Sequence, residues 1–180
     1  MSKFAKNFLK KMPGIWKINK EFKNPEGTLS KCEGCAKITR VSDFSILYQE
    51  YEYIKHFAKH CGNFYFLTGS FLYTLEEYEM ISKKWVLEKP SEVNYRHLYN
   101  LKFLSSSYAY SDGINPYTDN GLKVFNSENF FYNNTLLTHH YVDDETVNEI
   151  IYHHEKALGE NSEFEIQPMD SLFSDIIPER

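Results

Sequence analysis

The sequence predicts a mainly β protein, built as an antiparallel barrel or sandwich. About eight short segments alternate apolar and polar residues, as half-buried strands do, and turn signals separate them at even spacing. Aromatic residues make up 17% of the chain, with 14 Tyr and 14 Phe, and such residues are enriched in strands. The segments do not alternate with helical patterns, which argues against a parallel sheet.

Length and composition indicate the number of domains and exclude some classes of function. The 180 residues indicate one domain, which we expect to span residues 1–167, with a C-terminal tail over 168–180. The net charge is −5 and no block is strongly basic, so a nucleic-acid partner is not supported. No apolar segment approaches the roughly 18 residues of a transmembrane helix. The N-terminus lacks the apolar core of a signal peptide, so we expect a cytoplasmic protein with reduced thiols.

The first strand follows a break at Pro13-Gly14, where a helical pattern ends and a turn is allowed. From there the period is two, with Trp16, Ile18 and Phe22 on one face. A Trp at this position can plug the closed end of a barrel, and it is equally compatible with an ordinary sheet core.

A short helix is expected before this strand, over residues 2–12. Phe4, Phe8, Leu9 and Met12 recur at helical spacing, so the helix should cap one end of the domain. A helix lying on a membrane surface and a targeting peptide are the alternatives.

Further strands are predicted along the rest of the chain. The small residues Gly34 and Ala36 share a face of the second one, where something could approach closely. Glu50 and Glu52 share a face of the third, so they must be paired or lie at a wet rim if that face is internal. The strands are expected over 29–41, 46–54, 64–78, 80–87, 94–104 and 164–166, with a hairpin of 122–126 and 130–142 around Ser127-Glu128-Asn129.

Two segments are less regular. Residues 105–121 indicate a long loop, because Ser, Tyr, Asp, Gly and Asn are frequent there and the segment contains Pro116. Residues 144–158 fit both a helix face and a strand, and we slightly favour the helix.

The strand over 94–104 is the clearest. Tyr95, His97, Tyr99, Leu101 and Phe103 share one face, which we expect to point inward because cations occupy the other. His97 should then be buried, neutral and hydrogen-bonded.

Four short motifs carry a family resemblance, mostly over residues 12–103. They are Gly14-Ile15-Trp16, Gly34-Cys35-Ala36, Tyr48-Gln49-Glu50 and Thr138-His139-His140. With these motifs the chain resembles the calycin superfamily of lipocalins and fatty-acid-binding proteins, and most of all a bacterial family of small lipocalin-like domains. The resemblance implies an antiparallel lipocalin-like barrel with an internal cavity and no known reaction, although the Gly-Pro-x-Lys ending of that family is missing. We expect about eight to ten strands, a short N-terminal helix and, if residues 144–158 are helical, a C-terminal helix.

Polar and aromatic residues on the expected inner faces indicate a ligand site, because Tyr, His and Glu would line an apolar cavity. The predicted function is binding of a small, mostly apolar or aromatic ligand, with no cofactor. One alternative is an enzyme that uses Glu50 and His97 as an acid–base pair. Another is a protein-interaction module that uses the 105–121 loop. The predicted ligand-binding residues are Trp16, Tyr48, Glu50, Tyr73, His97, Tyr99 and His140.

A zinc site is a further alternative. Cys32-x2-Cys35 is followed by His56-x3-His60-Cys61, and such spacing occurs in structural zinc sites. A continuous second strand would instead place Cys32 and Cys35 on opposite faces, as two separate thiols. We favour the separate thiols and no metal.

Overall fold

The structure, a computed structural model, describes residues 3–55, 63–89, 92–115 and 122–159. These residues contain a helix, α1 (Phe4–Lys11), followed by ten strands. The strands are β1 (Gly14–Asn24), β2 (Gly27–Ser42), β3 (Ser45–Lys55), β4 (Asn63–Leu75), β5 (Met80–Lys89), β6 (Glu92–Ser105), β7 (Tyr108–Asp112), β8 (Val124–Tyr132), β9 (Thr135–Val142) and β10 (Glu149–Leu158).

The strands form a closed up-and-down barrel. Each strand pairs antiparallel with the next one along the chain, and β1 pairs with β10 to complete the circle. The predicted fold class, a mainly β antiparallel barrel after a short N-terminal helix, is confirmed. Alternation along each strand places apolar residues inside, where they form one continuous core.

The preference for a helix over 144–158 is wrong, because Glu149–Leu158 forms β10. Ile150, Tyr152 and His154 are buried on its inner face, with a period of two. The same residues also suit a helix face. A strand prevails because β1 has a row of backbone groups facing this position, and only another strand can satisfy them all.

Two turns also differ from the expected positions. β8 continues through Ser127-Glu128-Asn129, and the chain reverses instead at Asn133-Asn134. Asn133 has a φ of 53°, in the left-handed region that Asn tolerates better than most residues. The loop expected over 105–121 is interrupted by β7.

Several expectations fall on residues outside the described ranges. These are the part of the expected loop at 116–121, the strand over 164–166 and the tail over 168–180.

α1 lies across one end of the barrel, which we call the closed end; the turns after β2, β4, β6 and β8 surround it. The ring of Phe8 contacts three strands, with its centroid 6.4 Å from that of Tyr73, 5.1 Å from Phe103 and 5.4 Å from Phe131. The side chains on this face of α1 therefore plug the barrel. Within the described residues, no helix is long and apolar enough to cross a membrane.

The N-terminus of α1 is capped by a carboxylate from another part of the chain. The first turn of α1 has no acidic residue, and Glu79, in the turn after β4, takes that role. Its Oε2 accepts hydrogen bonds from the backbone N–H groups of Phe4 and Ala5, both at 2.8 Å, and its Oε1 accepts one from Lys3. A negative charge is favoured here, because unpaired N–H groups give a helix N-terminus a partial positive charge.

We expect Glu79→Gln to lower the free energy of unfolding by about 1–2 kcal/mol. An amide has one acceptor oxygen instead of two, so at least one of the three charge-assisted hydrogen bonds is lost and the others become weaker neutral ones. Urea denaturation measures the loss. Glu77→Gln, an exposed change in the same turn, is the matched control and should have little effect. Equal losses in both variants would show that the cap does not anchor the helix.

Candidate functional site

Two spaces lie along the inside of the barrel. The larger, of about 300 Å³, opens at the end opposite α1, which we call the open end. We name this space the mouth cavity. The smaller, of about 30 Å³, lies deeper, between the mouth cavity and Phe8 of the plug. The mouth cavity is lined by Ile18, Lys20, Phe22, Ser30, Lys31, Cys32, Glu33, Gly34, Glu50, Tyr51, Glu52 and Thr68.

A nearly buried ion pair forms the floor of the mouth cavity. The Nζ of Lys20 is 3.7 Å from the Oε2 of Glu50, and the side chains are 10% and 14% exposed. The Lys20 ammonium also lies 4.5 Å from the ring centroid of Tyr152. The hydroxyl of Thr68 donates to Glu50 Oε2 at 3.2 Å. Partners on three sides therefore offset the cost of removing both charges from water.

Small residues on β2 make this pair possible. Lys20 is on β1 and Glu50 is on β3, so β2 separates them. Three residues of β2 face inward beside the ion pair. Cys32 is opposite Lys20, Gly34 is opposite Ile18, and Ala36 is opposite Trp16. Their short side chains leave the space between the two charged groups open. Of the two carboxylates on β3, Glu50 is thus paired and Glu52 lines the mouth, as expected for an inner face.

The smaller cavity is surrounded by polar groups that are paired with one another. The hydroxyl of Tyr48 lies 2.7 Å from Nε2 of His154, and Nδ1 of His154 lies 3.1 Å from the carbonyl oxygen of Leu136. A carbonyl can only accept, so Nδ1 carries the proton and the Tyr48 hydroxyl donates to Nε2. Burial lowers the pKa of His154 to about 3, so this ring is neutral at physiological pH.

The low pKa of His154 predicts acid sensitivity. In the unfolded chain His154 binds a proton once the pH falls below its ordinary pKa of 6.5, whereas in the folded chain it stays neutral down to about pH 3. Protonation therefore favours the unfolded chain, and the free energy of unfolding falls as the pH falls. We expect this group alone to cost about 2 kcal/mol of unfolding free energy between pH 7 and pH 5. Urea denaturation at both pH values should show a smaller pH effect in His154→Gln than in the wild type. His153→Gln, at an exposed neighbour, should keep the wild-type effect; an unchanged effect in His154→Gln would contradict this assignment.

A lysine among aromatic rings lies beside this network. Lys83 Nζ donates to the Tyr99 hydroxyl at 3.2 Å and lies 4.6 Å from the ring centroid of Phe71 and 5.5 Å from that of Tyr73. Burial raises the pKa of Tyr73 to about 12, so its hydroxyl remains protonated. Within the described ranges, no carboxylate lies within ion-pairing distance of Lys83, and the aromatic faces stabilise its charge instead.

β8 and β9 contribute neutral polar groups to the same interior. The Ser127 hydroxyl lies 2.5 Å from Nδ1 of His140, and the Thr138 hydroxyl donates to Oδ1 of Asn129 at 2.8 Å. The buried Nδ2 of Asn129 has no partner among the described residues. The small cavity beside it has room for a water molecule, which could accept that hydrogen bond.

His97 is exposed, so its expected place in the interior is wrong. Lys83 is opposite Tyr99, but Lys84 is opposite His97, so Leu98 is an extra residue in β6. This β-bulge shifts the alternation by one. Tyr99, Leu101 and Phe103 after the bulge are buried as predicted, whereas Tyr95 and His97 before it are exposed.

The other predicted ligand residues divide between three places. Tyr48, Tyr73, Tyr99 and His140 line the small deep cavity, and Glu50 lies at the boundary of both cavities. Trp16 is fully buried near the closed end and lines neither space.

Three interior basic residues were missed: Lys20, Lys83 and His154. Lys20 follows Trp16 and Ile18 at a spacing of two, so the alternation of β1 already pointed it inward. His154 was missed because its segment was assigned to a helix.

Cys32 and Cys35 lie on opposite faces of β2, opposite Lys20 and Lys17 respectively. Burial, and to a lesser degree the charge of Glu50, raise the pKa of the Cys35 thiol to about 12, which disfavours the thiolate that zinc would need. His56, His60 and Cys61 lie outside the described residues. In the part of the chain that the structure describes, no group of three or more His, Cys, Asp or Glu residues could hold a metal ion.

Comparisons with known proteins return structural neighbours only. No family model and no curated protein matches the chain. It is similar to a redesigned β-barrel, at 10% sequence identity and a TM-score of 0.34, covering 87% of this chain and 99% of that one. It is also similar to EF1p2_mFAP2b bound to DFHBI, at 9% identity and a TM-score of 0.35, covering 87% and 100%. The fold of this chain, a closed antiparallel barrel of ten strands, therefore rests on its own strand pairing.

Proposed function

We propose that the protein binds a small ligand in the mouth cavity, with the Lys20–Glu50 pair as the polar contact. The single observation that supports this is a cavity of about 300 Å³ with a nearly buried ion pair at its floor. This volume is at the lower limit of the usual range for ligand sites. Ile18 and Phe22 supply apolar surface beside the charges. These features fit a ligand with an apolar or aromatic body and one polar or charged group.

The deeper residues have a supporting role in this proposal. The space between Tyr48, Tyr73, Tyr99 and His140 is about 30 Å³, which is too small for an aromatic ring. We therefore place the ligand above them, nearer the open end than the sequence suggested. Of the residues predicted to contact the ligand, Glu50 alone lines the mouth cavity.

The finer family assignment belongs to the same proposal. A lipocalin-like (calycin) barrel is supported by the short helix before Gly14-Ile15-Trp16 and by the meander that follows. The domain limits of 1–167 and the cytoplasmic location are proposed with it.

The enzyme alternative has less support. His97 is on the outer face and Glu50 on the inner one, so they do not form an acid–base pair. His154 lies inside, but its pKa of about 3 keeps it neutral at physiological pH. The interaction alternative relied on a 105–121 loop that β7 interrupts.

A fluorescent probe with matching chemistry tests the proposal. N-Phenyl-1-naphthylamine has an aromatic body and one neutral amine, so the carboxylates in the cavity lining do not repel it. It should bind the mouth cavity with one site per chain. We expect Ser30→Phe, which adds a ring at the cavity wall, to weaken binding at least about tenfold, a cost of roughly 1.4 kcal/mol.

Thr39→Phe is the matched control. Thr39 is exposed on the outer face of the same strand, opposite Leu47, so this ring cannot enter the cavity. Its affinity should equal that of the wild type. Equal affinity in Ser30→Phe, or binding that does not saturate, would argue against a site in the mouth cavity.

A further inference from the structure

Three exposed aromatic side chains surround α1 at the closed end of the barrel. Phe44 lies in the turn after β2, Tyr78 in the turn after β4, and Tyr132 at the end of β8. They are 53%, 78% and 72% exposed. Tyr95 and Phe125, nearer the open end, are also more than half exposed, so the closed end is distinguished by the cations beside its aromatic residues. The three at the closed end are each on a different turn, so they form three separate points around α1.

Cations lie between these points. α1 buries Ala5, Phe8 and Leu9 against the barrel, and its opposite side exposes Lys6 and Lys10. Lys6 Nζ is 5.9 Å from the ring centroid of Phe44, so charge and aromatic surface are adjacent.

A groove of about 580 Å³ between α1 and the turn after β2 adds more cations. It carries Lys3 and Arg40 beside Lys6 and Lys10, against a single acidic residue, Asp43. The turn after β4 carries three acidic residues, Glu76, Glu77 and Glu79, and the carboxylate of Glu79 caps α1. The chain as a whole has a net charge of −5, so composition alone does not explain this concentration of cations.

Three separate aromatic side chains around a lysine-rich helix can all contact a flat surface at once, and the lysines favour a surface that is negatively charged. Aromatic side chains favour the boundary between water and lipid, and lysines favour anionic headgroups. A single protein partner would instead favour one contiguous apolar patch.

We propose that the closed end docks on an anionic lipid membrane, with Phe44, Tyr78 and Tyr132 entering the headgroup boundary. α1 then lies parallel to the membrane with its lysines toward the phosphates, while its apolar face stays packed on the barrel. The open end, with the mouth cavity, faces water. This proposal is independent of whether that cavity binds a ligand.

Co-sedimentation of the full chain with vesicles tests the proposal. We expect binding to vesicles of phosphatidylcholine with phosphatidylserine and not to phosphatidylcholine alone, and release at high salt. The double variant Lys6→Glu, Lys10→Glu should bind at least about tenfold more weakly, because both positions change from attraction to repulsion. Phe44→Ser with Tyr78→Ser should also weaken binding, at unchanged net charge.

Arg96→Glu with Lys123→Glu is the matched control. It makes the same change of charge at exposed positions near the open end, outside the mouth cavity, and it should bind like the wild type. Circular dichroism checks that each variant is folded. Absence of sedimentation with the anionic vesicles would overturn the proposal, and so would an equal loss in the control, since that would indicate only a response to net charge.

Discussion

Trp16→Ala should lower the free energy of unfolding by about 3–5 kcal/mol, the largest single loss expected in this chain. The Trp16 side chain is fully buried, and its Nε1 donates to the carbonyl oxygen of Met12 at 2.8 Å. The ring thus joins the C-terminal end of α1 to β1, the first strand of the barrel. Truncation leaves a large cavity and an unpaired carbonyl, and both costs add.

Guanidinium chloride denaturation followed by circular dichroism measures this loss. Trp85→Ala is the matched control, because it removes the same side chain at a position that is 37% exposed near the open end. We expect it to cost at most about 1 kcal/mol. Similar losses of unfolding free energy in the two variants would mean that burial of Trp16 at the closed end adds no particular stability.

Gly34→Ala should cost about 3 kcal/mol, although it adds only a methyl group. A Cβ at Gly34 would lie far inside contact distance of the Tyr51 carbonyl oxygen, and 3.4 Å from the Cα of Glu52. Both are backbone atoms of β3, so they cannot move without loss of the β2–β3 pairing. The close approach expected at this small residue is therefore that of the neighbouring strand.

Gly159→Ala is the control for this prediction. A Cβ there meets no atom of the described residues within 4 Å, and the substitution should be neutral or slightly stabilising. Thermal unfolding of both variants separates the two cases. A Gly34→Ala protein as stable as the wild type would show that β2 and β3 can separate locally at low cost.

Much of the barrel could be predicted from alternation alone. Tyr48, Tyr99 and Leu101 face inward because neighbouring residues on their strands set the parity. His97 could not be placed in this way, because one extra residue at Leu98 reverses the parity and nothing in Arg96-His97-Leu98 signals a bulge.

The candidate site was harder to predict because its parts come from separate strands. Lys20 points inward by parity, but a lone lysine in a core is too costly to propose without a partner. That partner is Glu50, 30 residues later and two strands away, and only the closed sheet brings them together. The size of each cavity depends on how the side chains pack. Alternation predicts only the side of the sheet on which a residue lies, so it cannot predict that size.

The seam between β1 and β10 has a consequence for how the chain folds. Every other pairing joins strands that are neighbours along the chain, and such pairs can form early because little chain entropy is lost. The seam joins the first strand to the last, so it must form late. Until it forms, the sheet has two open edges that another chain can add to, and aggregation during folding should start at β1 and β10.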